Sequence, residues 1–147
     1  VPKPTVLLLA TLAACSTMPA GTAAPSPMAP PPAGFGPGVY SVTLADSDIP
    51  TSVLSGPRGS LVGRWEMTVD GASHAVIRYN GQEVVEMPFQ LQGNQVTFAE
   101  GNGRYACPGP GRYTWEATAA SVRFTRVEDP CTGRVAALTA RAWTRTP

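Results

Sequence analysis

Charge is scarce in this sequence, and its scarcity excludes several functions. Only 14% of the 147 residues are Asp, Glu, Lys or Arg. The single lysine is Lys3, the other ten cationic side chains are arginines from Arg58 onward, and all ten acids lie after Thr43. From Cys15 onward the formal charges cancel, so the chain lacks the basic surface that nucleic acid demands. It equally lacks a polybasic segment for anionic lipid. Histidine is almost absent. One residue, His74, leaves no Ser-His-Asp order to invoke, and its place beside a turn, on the outward face of a strand with Arg78, makes it a surface group. No glycine-rich loop follows a strand and opens a helix, so no phosphate cradle is expected. Cysteine is too sparse for a metal: Cys107, Cys131 and a distant His74 do not make a four-ligand set. The carboxylates do not pair for acid–base work. Glu83 and Glu86 fall on opposite faces by strand parity, Glu128-Asp129-Pro130 reads as a turn, and Asp46 and Asp48 around Ser47 suit turns and caps. The expectation is a protein that is not an enzyme, with no cofactor. Helical period and internal repeats are missing too.

Long hydrophobic runs are also lacking. Val6–Leu12 is too short to span a membrane and has the length of a secretory apolar core, with Lys3 before it. The Leu12-Ala13-Ala14-Cys15 stretch that follows resembles the lipobox of bacterial lipoproteins. That resemblance implies a signal peptide over 1–14, cleavage before Cys15, and lipidation of Cys15. Two or more acyl chains anchor stably where one does not. Ser16, not Asp, follows the cysteine. The resemblance then implies a lipid-anchored protein of the cell envelope, on the outer membrane if the cell has two.

Residues 15–37 read as the lipidated cysteine and a linker. Ser16–Pro37 is made mainly of Pro, Ala, Gly, Ser and Thr, carries no charge, and has Pro30-Pro31-Pro32 at its middle. It has too little apolar bulk to fold and leans to polyproline II. At about 3.1 Å per residue it reaches roughly 70 Å. Met28 and Phe35 stand alone in it and are expected to face solvent.

The folded part is expected over 38–147 and is all-β. Its clearest strand is Leu61–Val69, where Leu61, Gly63, Trp65, Met67 and Val69 alternate with Arg64, Glu66 and Thr68. Asp70-Gly71, Asn80-Gly81 and Gly93-Asn94 are hairpin signals. Eight strands follow from the alternation: Val39–Leu44, Leu61–Val69, Ser73–Tyr79, Gln82–Leu91, Gln95–Ala99, Arg112–Thr118, Ser121–Val127 and Arg134–Thr144. Ala45–Ser60 is a long loop with room for a helical turn after Pro50, and Glu100–Gly111 is a second, Gly/Pro-rich loop. Pro88 should bulge or break the fourth strand. The last strand has two possible inward faces, one through Val135, Ala137, Thr139, Arg141 and Trp143 and one through Arg134, Ala136, Leu138, Ala140 and Ala142. Eight short strands joined mainly by tight turns form an antiparallel meander, and closing it into a barrel removes both edges.

Cys107 and Cys131 remain once Cys15 is assigned to lipid. In an exported domain they should form a disulfide, and both lie in loops that a meander brings to one barrel end.

Gly63-Arg64-Trp65, on a strand that opens a meander, resembles the Gly-x-Trp pattern of lipocalins and other calycins. The resemblance implies a barrel closed at one end by Trp65, with an arginine of the last strand packed over it. Arg141 is the preferred partner and Arg134 the alternative. Gly63 would be small because another segment crosses it. The chain departs from a typical lipocalin in its shorter domain, in the strand and loop ahead of the motif, and in the lack of an evident terminal helix.

Two functions fit such a barrel. In the first, the interior binds a small lipophilic ligand, with Met67, Ile77, Met87, Phe89, Phe98, Tyr113, Trp115 and Phe124 as candidate lining residues. Eight strands leave an interior just wide enough to fill with side chains or to hold one small ligand. In the second, the core is solid and the loops Ala45–Ser60 and Glu100–Gly111 engage an envelope protein, as in lipoprotein inhibitors of lysozyme.

Overall fold

Eight antiparallel strands in sequence order close on themselves as a barrel, each hydrogen-bonded to the next and the last to the first. The computed structural model describes residues 34–53, 59–71 and 73–147. The expected signal peptide over 1–14, the expected lipidated Cys15 and the expected linker as far as residue 33 lie outside the described residues. The strands are β1 (Gly38–Leu44), β2 (Gly63–Asp70), β3 (His74–Tyr79), β4 (Gln82–Gln92), β5 (Gln95–Phe98), β6 (Gly111–Ala117), β7 (Ser121–Glu128) and β8 (Trp143–Thr146). A helix, α1 (Thr132–Thr139), links β7 to β8.

Alternation decides which way each strand faces. On β2, Trp65, Met67 and Val69 are buried, while Arg64, Glu66 and Thr68 are not. The β3–β4 turn uses Asn80 at φ 48° and Gly81 at φ 83°, the paired positive dihedrals of a turn whose twist matches the strands it joins. Closure is made where Val39 and Ser41 of β1 meet Thr146 and Thr144 of β8. The loop after β1 is tied to the core by buried Ile49 and Val53; Gly59, after Pro50, is helical, and a 3-10 turn spans Asp46–Asp48. There Asp48 accepts from the Ala45 N–H at 2.9 Å, the capping role expected of these acids.

Four expectations are corrected. The eighth strand does not run over Arg134–Thr144. Thr132–Thr139 is helical and only Trp143–Thr146 is strand. Alanine and leucine are strong helix formers, and Arg134, Ala137 and Leu138 are buried at the i, i+3, i+4 spacing of a helix face. Two equally good inward faces were the mark of a segment whose period is not two.

Second, the fold begins before Gly38. Phe35 is 3% exposed, with ring centroids 5.5 Å from Tyr40, 5.8 Å from Phe89 and 5.2 Å from Phe124. It enters from the barrel end where β1 begins and plugs it. Tyr40 donates its hydroxyl to Gly36 O at 2.8 Å, and Arg145 of β8 lies over the Tyr40 ring and donates to Pro37 O at 2.7 Å.

Third, the bulge in β4 falls at Val84, not at Pro88. Ile77 faces Val85 while Arg78 faces Glu83, so Val84 is the extra residue. Pro88 sits where the neighbouring ladder has a gap. Ala99 donates to Pro88 O, and the next pairing is Glu86 with Asn102. No donor is missed there. Fourth, that bulge brings Glu83 and Glu86 to the same outer face, where Glu83 meets Arg78 at 3.8 Å and Glu86 meets His74 at 3.0 Å.

Candidate functional site

The barrel is solid in one half and hollow in the other. Around the Phe35 plug, Phe89, Phe98, Tyr113 and Phe124 pack with ring centroids about 6 Å apart, a spacing typical of edge-to-face aromatic cores. Met67 is fully buried with them in the core, and Trp115 lies half-buried beside Phe35. Those six residues of the expected lining therefore fill the interior instead of bordering a space. Ile77 and Met87 do border one.

That space is a cavity of about 380 Å³ at the opposite end, within the range of small-molecule sites. Its walls come from five places, one of them Ser60 and Leu61 ahead of β2. β2, β3 and β4 give Trp65, Ile77, Val85 and Met87. The loop after β5 gives Gly101 and Arg104–Cys107, the helix gives Arg134, Ala137 and Leu138, and β8 gives Trp143. The lining is mainly apolar. The loop reaches this place because Asn102 pairs with Glu86 and the Tyr105 N–H donates to Val84 O. Gly101 allows the approach, since a Cβ there would stand 2.7 Å from Glu86 O.

Trp65 is a wall of this cavity. It is 4% exposed, its Nε1 donates to Leu61 O at 2.8 Å, and it packs against Tyr79 at 4.8 Å and Tyr105 at 6.1 Å between centroids. Gly63 is crossed as expected: a Cβ there would lie 2.8 Å from Asn80 Oδ1 and 2.9 Å from Tyr79 Cε2. Arg141 does not pack over Trp65. Its side chain is 58% exposed and pairs with Asp48 at 3.5 Å. The turn between α1 and β8 carries it to the outside, so the inward face through Arg141, one of the two left open for a continuous strand, is not realised. The last-strand arginine that does cover a barrel end is Arg145, at the plugged end.

Arg134 is the buried arginine at the hollow end. Its Nε donates to Asp129 Oδ2 at 2.5 Å, and its Nη2 to Asp129 Oδ1 at 2.9 Å and to Gly109 O at 3.1 Å. Tyr113 donates its hydroxyl to Asp129 Oδ2, and the Cys131 N–H donates to Oδ1 at 2.7 Å. Burial alone would push the Asp129 carboxyl up, but the hydrogen bonds from Arg134, Tyr113 and the Cys131 amide outweigh it and hold the carboxyl below its ordinary value. Burial and then the Asp129 charge push the Tyr113 phenol far up. Burial opposes the Arg134 charge, and the bond to Asp129 overcomes it, so the guanidinium is held above its ordinary value. Gly111 makes room for the group, since a Cβ there would sit 2.1 Å from Asp129 Oδ2. Sequence reasoning read Asp129 as a turn residue and missed this network. Asp129, Pro130 and an arginine five residues on is a weak signal, and the partner Tyr113 is visible only in three dimensions.

Cys107 and Cys131 form a disulfide, with Cα atoms 5.9 Å apart, and both border the cavity. The bridge ties the loop after β5 to the start of α1 across its rim. Among the described residues, no group of three or more His, Cys, Asp or Glu is placed to hold a metal ion.

Fold and cavity define a class: an eight-stranded closed antiparallel meander barrel of calycin-like topology, plugged at one end and hollow at the other. No protein-family model, curated protein or solved structure matches the chain.

Proposed function

We propose that this is a binding protein and not an enzyme, and that it holds a small lipophilic molecule in the cavity between Trp65, Met87, Tyr105 and Trp143. The carrying observation is the division of the barrel into a packed aromatic half and an apolar space of about 380 Å³. Each methylene taken from water into such a space contributes about 0.8 kcal/mol. Native mass spectrometry of the domain purified from its own host tests the reading, with a retained small molecule expected. Ala106→Phe, which places a ring at the rim, should abolish retention. A host-purified protein that carries nothing and takes up no lipophilic probe sinks the proposal.

We propose further that the barrel is an envelope lipoprotein anchored through Cys15. The support is the apolar run Val6–Leu12 joined to Leu12-Ala13-Ala14-Cys15. Cys15→Ala should move the protein from the detergent phase to the aqueous phase on detergent partitioning. Unchanged partitioning of the variant refutes the anchor.

A further inference from the structure

We infer that the cavity's occupant is an amphiphile with a negatively charged head, its apolar body inside and its head at the mouth beside Arg104. The inference rests on the cavity being a binding site and names the chemistry of what it binds. Arg104 borders the cavity and is itself exposed, so it stands where the space meets water. Its guanidinium lies 5.5 Å from the centroid of the Tyr105 ring, and that ring is a wall packed on Trp65. The cation is thus held against the lining. Among the described residues Arg104 has no ion pair. All ten acidic residues of the chain are described, so none is left over to supply one. Acids around this loop are engaged elsewhere. Glu100 accepts from the Gly109 N–H at 3.3 Å, Glu86 pairs with His74, and Asp129 pairs with Arg134.

The lining fixes the sign of the head. It holds two arginines and no carboxylate. Arg134 is satisfied by both oxygens of Asp129, which leaves Arg104 as the cation of the lining without a counterion among the described residues. A cationic head at the mouth would meet Arg104 with no acid on the wall to offset the repulsion. An acidic head meets a guanidinium, whose planar fork suits carboxylate and phosphate oxygens. At an exposed mouth such a head stays partly in water and loses little hydration. A charge sunk among Ile77, Val85 and Met87 would lose nearly all of it. The apolar body belongs on those three residues and on Trp65. An apolar interior with one unpaired cation at its rim is the complement of a single-headed acidic amphiphile.

Decanoate, decanol and decyltrimethylammonium share one chain and carry a negative, a neutral and a positive head. At about pH 8 the carboxylic acid is ionised. Calorimetric titration of the full chain gives each affinity, and the ratio of decanoate to decanol isolates the head. In Arg104→Gln that ratio should fall about threefold, the value of one exposed ion pair. Arg104→Glu should lower it further and raise decyltrimethylammonium relative to decanol, while Arg104→Lys should keep most of the parent ratio. In the unmodified protein the ratio should also fall as salt rises from about 0.01 M to about 1 M, because the screening length shortens from about 30 Å to about 3 Å. A ratio unmoved by Arg104→Gln overturns the inference and leaves the binding function standing. If that variant does not fold, a ratio unmoved by salt overturns it instead. If none of the three probes binds, nor any other lipophile, the binding function falls and the inference falls with it.

Discussion

Asp129 and Arg134 grip each other through two parallel hydrogen bonds, Nε to Oδ2 at 2.5 Å and Nη2 to Oδ1 at 2.9 Å, at the hollow end of the barrel. The pair spans the turn by which β7 hands over to α1. Tyr113 from β6 and the Cys131 amide complete the carboxylate's bonds. The helix start, the disulfide and the β6–β7 ladder therefore share one buried anchor. A buried ion pair is not itself proof of stability, but losing one member of it is costly.

Asp129→Asn should therefore destabilise the domain by about 3–5 kcal/mol, because Arg134 keeps its charge without a counterion. The pH dependence has a definite sign. The Asp129 carboxyl is depressed in the folded protein, and its unfolded value is about 3.9. Its stabilisation is complete above that value and is lost as pH falls through the lower folded value. Tyr113 acts at the other extreme. Its phenol is raised in the fold, so stability falls once pH passes the unfolded tyrosine value of about 10. Urea titrations from acid to alkaline pH should show the acid-side loss in the parent and a flatter acid limb in Asp129→Asn.

Two glycines separate space from conformation. Gly111→Ala puts a methyl 2.1 Å from Asp129 Oδ2 and 2.9 Å from Arg134 Nε. Overpacking of this kind costs about 1–3 kcal/mol before any loss from the ion pair. Gly133→Ala meets nothing within 4 Å and lies in α1. It should stabilise by about 0.5–1 kcal/mol through helix propensity. Thermal melts of the two variants should shift in opposite directions.

The barrel was legible in the sequence because hairpin turns and period-two burial are local properties. Asn80-Gly81 declares its turn, and β2 declares its face. What could not be read depends on contacts between distant residues or on competition between periods. Arg134–Ala142 alternates well enough to pass for a strand, and only its burial at i, i+3 and i+4 shows the helix. Phe35 sits in a Pro/Gly/Ala context that predicts exposure, and only the barrel's open end gives it somewhere to go. The disulfide was readable because only two cysteines were left to pair, whereas the cavity was readable only through Ile77 and Met87. Whether a barrel interior is filled depends on where six or seven aromatic rings point relative to each other, and alternation says only that they point inward.

Phe35 should behave as core, although it lies in the expected linker. Phe35→Ala in the full chain removes a ring in contact with Tyr40, Phe89, Trp115 and Phe124. The expected loss is about 3–5 kcal/mol. Phe35→Leu should lose less. A melting temperature unchanged by Phe35→Ala would return the residue to the linker and leave that barrel end unplugged.

Trp65 tests the calycin-like reading most sharply, because the arginine expected over it is elsewhere. Trp65→Ala should cost about 3–5 kcal/mol, the range for a buried aromatic, out of the roughly 5–15 kcal/mol a domain has. Arg141→Ala removes an exposed pair with Asp48 and should cost about 0–1 kcal/mol. The two changes should add, since the residues share no contact that would couple them. Tyr105→Ala should not add with Trp65→Ala: the rings lie 6.1 Å apart, and Tyr79 touches both. Urea unfolding of the two double-mutant cycles gives both couplings. A coupling of 1 kcal/mol or so between Trp65 and Arg141, with none between Trp65 and Tyr105, would place the last-strand arginine over the tryptophan after all. The same variants also read out binding. Trp65 and Tyr105 both border the cavity, so Tyr105→Ala should weaken a lipophilic probe, while Arg141→Ala should leave its affinity unchanged.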